Sequence, residues 1–293
     1  MELLRLSAVK PRVWHARRNL EMLAGLILKH LFRKNLKLVF TSAAQRYHSP
    51  YTKKLISRMD AVIATSQKSA NYLEVPHAII HHGIDTETFK PTSNKIALRS
   101  ELNLPEGKLV GCFGRVRPQK GVDIFVEIMI KVCSQDPTAV GIICGQTTSD
   151  HKEFEAALKS QVTDAGLSER IIFLGTQPSD RLPLLFAALD IYVAPQRNEG
   201  FGLTPLEAMA SGVPVIATTA GAFEEMVLNG ETGYIVEIED IVNMAERLVE
   251  LLSNERRRKA LAKASIERVN QHFDIKGEAA ALVNLYQDLL SKA

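Results

Sequence analysis

The sequence predicts an α/β protein built of two units, each a parallel sheet flanked by helices. Three observations carry this. Apolar runs of strand length alternate with stretches of helical period, the pattern of βα units and hence of a parallel sheet. The alternation halts at Phe89-Lys90-Pro91-Thr92-Ser93-Asn94, a polar, turn-rich stretch, and then starts afresh. Glycines gather where strands should end and helices begin, the edge at which α/β proteins bind anionic ligands.

In order, Arg12-Val13-Trp14-His15 reads as the end of a strand. Asn19 is expected to cap a helix carrying Leu20, Leu23, Ala24, Ile27 and Leu31 on one face. A strand at 36–41, a helix at 50–58, a strand at 60–65 and a helix capped by Ser66 and running to about 73 come next. Residues 79–85 form a short strand and turn. That makes about three strands in roughly 85 residues, short of the six of a complete nucleotide-binding sheet. The first strand candidate begins almost at Met1, so the first unit, 1–85, is expected to be incomplete. Beyond the boundary, strands at 109–113, 140–144, 170–174, 190–194, 213–217 and 234–236 alternate with helices near 119–134, 151–165, 179–188, 203–211 and 222–228. This second unit, 86–273, reads as a full doubly wound domain. The chain continues as a helix over 241–264 and ends, in a segment 274–293, with a helix at 275–290 that is expected to cross back to the first unit.

Composition is that of a soluble globular protein, 46% hydrophobic and 24% charged over 293 residues. No apolar run reaches the ~18–20 residues that span a bilayer, and residues 1–11 lack the apolar core of a secretory signal. Cys112, Cys133 and Cys144 have neither metal spacing nor an even-numbered framework, which points to buried thiols in a reducing cytoplasm. The net charge of +3 hides an asymmetry: residues 1–75 carry 14 Lys/Arg against 4 Asp/Glu, a charge of +10, and the remainder is −7. A basic first unit suits nucleic acid, an anionic membrane surface or a phosphorylated substrate, and equally a solvated face. No base-stacking or groove-reading motif accompanies the basic residues, so nucleic acid is the least favoured partner.

The most informative stretch runs from Gln196 to Met209. It comes after the strand Asp190-Ile191-Tyr192-Val193-Ala194, which stops at Pro195, and it holds Glu199 and Glu207 with seven residues between them. Gly200-Phe201-Gly202 lies beside the first carboxylate. Leu203 to Ala210 then has helical spacing, with Pro205 in the first turn, where a missing N–H is harmless. Two carboxylates could be a glycosidase-style acid and base, and the helix start between them leaves that geometry open. A helix dipole explains Glu199 alone. It does not explain Glu207 further in, among small apolar residues, where a carboxylate suits hydroxyl groups of a ligand. Upstream, Gly114-Arg115-Val116-Arg117-Pro118-Gln119-Lys120-Gly121 joins a strand to a helix. Arg115 can grip phosphate oxygens bidentately and Lys120 adds a point charge, although a solvated basic turn reads the same way. The G-x-G-x-x-G spacing of a dinucleotide site is absent. Ser211 to Ala217 is helix stop, turn and strand, and Gly221 to Glu225 repeats glycine-then-carboxylate at the next strand end. His15 stands at a strand end among Arg12, Arg17 and Arg18, a better setting for a functional histidine than most.

Together these residues resemble the retaining GT-B glycosyltransferases of family 4, the group 1 glycosyl transferases. The resemblance covers about 80–290 and rests on Gly114-Arg115-x5-Gly121 with its internal Lys120, and on Glu199-Gly-Phe-Gly-Leu-x2-Leu-Glu207-Ala-Met-Ala-x-Gly-x-Pro-Val. Val13-Trp14-His15-Ala16-Arg17-Arg18-Asn19-x-Glu21-Met22, Phe40-Thr41-Ser42-Ala43-Ala44-Gln45-Arg46 and Pro195-Gln196-Arg197-x-Glu199-Gly200 look like a narrower branch, the bacterial lipopolysaccharide core mannosyltransferases of the LpcC type.

The resemblance implies two Rossmann-like domains around a cleft, an acceptor-side domain at 1–85 and a nucleotide-sugar domain at 86–273. It implies that Gly114, Arg115 and Lys120 hold the donor diphosphate, that Glu199 binds hydroxyls of the transferred sugar and that Glu207 binds the ribose. Gly200, Phe201, Gly202 and Leu203 would cradle phosphate and sugar through backbone N–H groups, and Thr204 would add a hydroxyl. His15 would be presented to the sugar and, with Glu199, Arg115 and Lys120, make up the catalytic set. No metal or other cofactor is expected, because Arg, Lys and a helix N-terminus neutralise the leaving diphosphate. Nor is a nucleophile, since the family's retention is attributed to same-face attack assisted by that phosphate. Three departures stand out: His82-Gly83-Ile84-Asp85 replaces the family's Asn-Gly-Val/Ile-Asp, Cys144-Gly145-Gln146 replaces Gly-x-Gly, and the glycine-rich loop after the family's first strand has no counterpart. The expectation is mannose transfer from GDP-mannose to the Kdo inner core of lipid-linked lipopolysaccharide, in the cytoplasm or peripherally at the inner face of the plasma membrane. Gly175-Thr176-Gln177, the base-side loop by resemblance, does not distinguish guanine from uracil. A retaining enzyme using a UDP-sugar, or a non-catalytic nucleotide-sugar-binding remnant, therefore remains an alternative.

Overall fold

Four parallel strands in the order β1-β2-β3-β4 form one sheet in the computed structural model, which describes residues 10–292. They are β1 (Arg12–Ala16), β2 (Leu36–Ser42), β3 (Ala61–Ala64) and the two-residue β4 (Ala78–Ile79), joined by α1 (Asn19–His30), α2 (Pro50–Ile56) and α3 (Gln67–Ala70). The short strand expected at the start of 79–85 is present as β4, one residue earlier and only two residues long, with both residues exposed. Parallel pairing sets His15 opposite Val39 and Ala16 opposite Phe40, so His15 lies near the carboxyl ends of its sheet. Leu38 and Val39 of β2 are fully covered, as an inner strand with helices above it requires.

Two details of α1 differ from the sequence reading. Arg18, not Asn19, occupies the cap position, and the Glu21 carboxylate accepts the N–H groups of Arg17 and Arg18 at 2.6 and 3.2 Å. Asn19 instead donates to the Thr52 hydroxyl at 2.9 Å, tying α1 to α2. Met22, Gly25 and Leu26 face the core, while Leu20, Ile27 and Leu31 of the apolar stripe point outward.

The second sheet has six parallel strands in the order β10-β9-β8-β5-β6-β7. A capping asparagine, Asn94, opens α4 (Lys95–Glu101) by accepting the Ala97 N–H at 3.1 Å; the sequence reading had no helix here. Beyond it lie β5 (Lys108–Phe113), α5 (Val122–Gln135), β6 (Ala139–Cys144), α6 (Lys152–Asp164), β7 (Ile171–Gly175), α7 (Leu182–Ala188), β8 (Ile191–Ala194), α8 (Thr204–Ala210), β9 (Val215–Thr218), α9 (Phe223–Met226) and β10 (Gly233–Val236). One long helix was expected after β10. The chain instead forms α10 (Ile241–Ser253) and α11 (Glu255–His272), because Asn254 breaks the first and caps the second, accepting the Arg257 N–H at 2.9 Å. In chain order the six strands lie as 3-2-1-4-5-6, the doubly wound arrangement, and the order reverses between β5 and β8.

Side chains alternate across this sheet into two cores. Leu109, Phe113, Ile142, Tyr192 and Leu206 pack on one face, and Val110, Phe125, Ile143, Val193 and Ile216 on the other. All three cysteines are buried and free; burial pushes the Cys112 thiol up to about 12 and that of Cys144 to about 11. At the amino edge of the sheet, Asp190 accepts the Leu109 N–H at 2.8 Å and pairs with Arg99 at 2.7 Å. Arg99 also donates to the carbonyls of Ala188 and Gly107, so β5 and β8 are clamped where they begin.

Two compact units result, Ile84–Asp274 and the remainder, to which the final helix α12 (Ile275–Ser291) belongs. Within that remainder, Glu278 of α12 accepts the Gly83 N–H at 2.8 Å and pairs with His82 at 2.9 Å.

Candidate functional site

Where neighbouring strands of a parallel sheet send their crossovers to opposite faces, their carboxyl-end loops separate and leave a crevice. β5 and β8 are that pair, and the loops after them hold most of the residues singled out from the sequence. After β5 the chain passes Gly114, Arg115 and a tight turn at Pro118–Lys120, then enters α5 through Gly121. Gly121 has φ +67°, and a Cβ there would lie 1.9 Å from the Pro195 carbonyl oxygen. Only glycine lets the start of α5 meet the end of β8 so closely.

Arg197 binds the two loops together. Its guanidinium donates to both oxygens of Asp123 at 2.8 Å each, to the Pro118 carbonyl at 2.6 Å and to Glu239 at 2.8 Å. Its backbone N–H donates to the Gln119 carbonyl at 3.0 Å. This planar, forked contact set is one that lysine could not make. The staple sets Lys120 directly against Glu199, where the two form a half-buried ion pair. The other oxygen of Glu199 accepts the Gly200 N–H at 3.1 Å.

Phe201 is buried, and its carbonyl accepts the Ala222 N–H at 3.1 Å, so the turn after β9 braces the Gly200–Leu203 loop. The Thr204 hydroxyl meets that of Tyr192, which donates to the Phe113 carbonyl at 3.0 Å. Glu207 sits one turn into α8, and among the described residues its carboxylate has no cation beside it. Burial alone pushes it up to about 7. Arg115 is exposed just beyond Gly114, and among the described residues it forms no ion pair. The two neighbouring strand ends are tied in as well: the Gly114 N–H donates to Cys144, and the Val116 N–H to Gln146.

Gly114, Arg115, Lys120, Glu199 through Thr204 and Glu207 thus share one edge of one sheet. Cations and carboxylates side by side suit a ligand that is anionic in one part and rich in hydroxyls in another. His15 belongs to the other unit. Both of its ring nitrogens are engaged, Nδ1 with the Tyr286 hydroxyl at 2.5 Å and Nε2 with the Thr41 hydroxyl at 2.6 Å. Burial, and then the charge of Arg17, lower its pKa, so the neutral imidazole is favoured. Sequence reasoning missed the Arg197–Asp123 pair and Tyr286. Gln196, which opens the informative stretch but received no role from the sequence, is buried close to Glu199 in the chain, with its side-chain oxygen unpartnered among the described residues.

The family model described as glycosyl transferases group 1 matches residues 94–268, from the start of α4 into α11. The chain belongs to this family. Two relatives extend the likeness to nearly the whole transferase. The lipopolysaccharide core biosynthesis mannosyltransferase LpsB of Rhizobium meliloti (strain 1021) is 48% identical over 95% of this chain and 80% of its own length. LpcC of Rhizobium leguminosarum bv. viciae, of the same description, is 47% identical over 95% and 79%. Among solved structures, the C-terminal domain of a group 1 glycosyl transferase (LpcC) from Francisella tularensis covers 66% of the chain and all of that domain, with TM-score 0.64 and 36% identity. Anabaena HepE in complex with UDP matches 98% of the chain and 81% of its own, with TM-score 0.87 and 24% identity, a likeness of fold. The transferase accordingly has the GT-B fold, with two Rossmann-like units, and is a glycosyltransferase.

Proposed function

We propose that this glycosyltransferase moves mannose from GDP-mannose to the Kdo inner core of lipid-linked lipopolysaccharide, with retention at the anomeric carbon. One structural observation supports the reading above the others: Arg115, Lys120, Glu199 and Glu207 line one sheet edge at the point where strand order reverses. The names of the relatives LpsB and LpcC support the sugar and the pathway.

In this reading Arg115 and Lys120 take the diphosphate, with Gly114 and the N–H groups of Gly200, Phe201, Gly202 and Leu203 around it and Thr204 adding its hydroxyl. These groups neutralise the charge that develops as the sugar–phosphate bond breaks, without a metal or other cofactor. Glu199 exchanges Lys120 for hydroxyls of the transferred sugar, and Glu207 accepts from the ribose. His15 acts on the sugar as a neutral imidazole. The nascent phosphate assists attack of the acceptor hydroxyl on the same face, which keeps the configuration. Among the described residues no helix is long and apolar enough to cross a membrane. The protein would reach its acceptor from the cytoplasm, peripherally at the inner leaflet.

The test is transfer of radiolabelled mannose from GDP-mannose to Kdo-lipid A by the purified protein. Transfer from a UDP-sugar and none from GDP-mannose would overturn the donor assignment. Arg115→Ala is expected to weaken GDP binding at least tenfold, and equal binding by variant and parent would remove Arg115 from the phosphate site.

A further inference from the structure

The outward stripe of α1 coincides with the basic part of the chain. Residues 17–58 contain ten Lys/Arg and a single acidic residue, Glu21. Leu20, Leu23, Ile27 and Leu31 recur at helical spacing, yet the buried face of α1 is the other one. Leu31 is 73% exposed and Ile27 41%. Between α1 and α2 lies a groove of about 500 Å³, floored by the buried Leu26 and Leu55 and walled by Leu23, Ile27, Leu31 and Tyr51. Lys54 and Arg58 stand at its mouth. Lys29 and Lys53 nearby are paired with Asp60 and Glu74, but among the described residues Lys54 and Arg58 form no ion pair.

We propose that this groove and its basic rim are a docking face for an anionic lipid bilayer. An apolar strip with unpaired cations along it matches the interface of a membrane, where apolar side chains enter the acyl boundary and long basic side chains reach up to the headgroups. A second copy of the chain is disfavoured as occupant, because it would bring the same uncompensated cations face to face. The choice of a membrane rests in part on the lipid-linked acceptor proposed above; the groove and its charge do not.

The experiment is co-sedimentation of the protein with vesicles of phosphatidylcholine alone and with phosphatidylglycerol added. Binding is expected only with phosphatidylglycerol, weakening as salt rises. Lys54→Gln and Arg58→Gln should each weaken it about fivefold, and the exposed pair Ile27→Ser and Leu31→Ser should weaken it further. Lys259→Gln with Lys263→Gln, on α11, should leave it unchanged. The proposal is overturned if phosphatidylglycerol vesicles carry down no protein, if the groove variants bind like the parent, or if the parent is a dimer that Leu31→Ser makes monomeric. Vesicles lacking donor and Kdo keep the two readings separable. Lost vesicle binding leaves mannose transfer standing, and lost transfer leaves the docking face standing.

Discussion

Arg197 and Asp123, 74 residues apart in the chain, meet through two parallel hydrogen bonds of 2.8 Å each. The pair fixes the loop after β8 against the first turn of α5, and with it the approach of Lys120 to Glu199. Removing the guanidinium strands Asp123 and frees the Pro118 and Gln119 turn. Arg197→Ala is expected to lower stability by about 2 kcal/mol, since both partners are partly solvated, and to weaken nucleotide binding through loss of loop position. Arg197→Lys should recover only part, lacking the fork. Urea unfolding and a GDP titration check both, and an unchanged midpoint would mean that the loops hold without the staple.

Lys120 and Glu199 form an ion pair, so each partly neutralises the other. Glu199→Gln should therefore leave GDP binding equal or tighter, because Lys120 is released to the diphosphate. Mannose transfer should still drop by about 100-fold, as the sugar loses its acceptor for hydroxyl hydrogen bonds. Lys120→Met should weaken GDP binding about tenfold. Calorimetry with GDP alongside transfer assays separates the two effects. Weaker GDP binding by Glu199→Gln would count against the exchange.

Burial holds the Glu207 carboxyl at about 7 instead of 4.5, so folding favours its protonated form. The stability this contributes is complete below pH 4.5 and is lost as pH rises through about 7, on the order of 3 kcal/mol in all. Glu207→Gln should flatten that slope, as urea unfolding across the range would show. Ribose hydroxyls favour the carboxylate, so nucleotide binding near neutrality should release a proton from the parent and none from the variant. Calorimetry in buffers of different ionisation enthalpy measures this directly.

Gly121 and Gly166 have nearly the same left-handed φ, +67° and +68°, but only the first is crowded. Gly166→Ala is expected to cost about 1 kcal/mol, the backbone penalty alone. Gly121→Ala must also push Pro195 aside, and should cost at least twice as much while impairing nucleotide binding. Thermal unfolding of the two variants side by side isolates the steric part.

The strands and most helices were legible because apolar periodicity is a local property, and so was the edge that holds Arg115, Lys120, Glu199 and Glu207. The features that escaped were decided by tertiary competition. Asn19 looked like a cap, but Glu21 already served the Arg17 and Arg18 N–H groups and Thr52 claimed the asparagine side chain. Asn254 broke a continuous helical pattern because its side chain caps the first turn of α11. The capping residue of α4, Asn94, was in plain view but was absorbed into the turn before it. The outward turn of Leu20, Ile27 and Leu31 was invisible because periodicity identifies a stripe and not the side on which the core lies. The Arg197–Asp123 pair and the contacts of His15 with Thr41 and Tyr286 join distant parts of the chain, and no spacing announces them.

The clamp of Asp190 on Leu109 and Arg99 lies at the end of β5 and β8 opposite the ligand loops. The clamp and the proposed donor-binding loops thus lie at opposite ends of the same two strands. Exposed loop positions at the other end of the sheet, such as Thr176 and Asn198, can change with little risk to that frame. One scaffold could pass from one nucleotide sugar to another through a succession of folded, working intermediates.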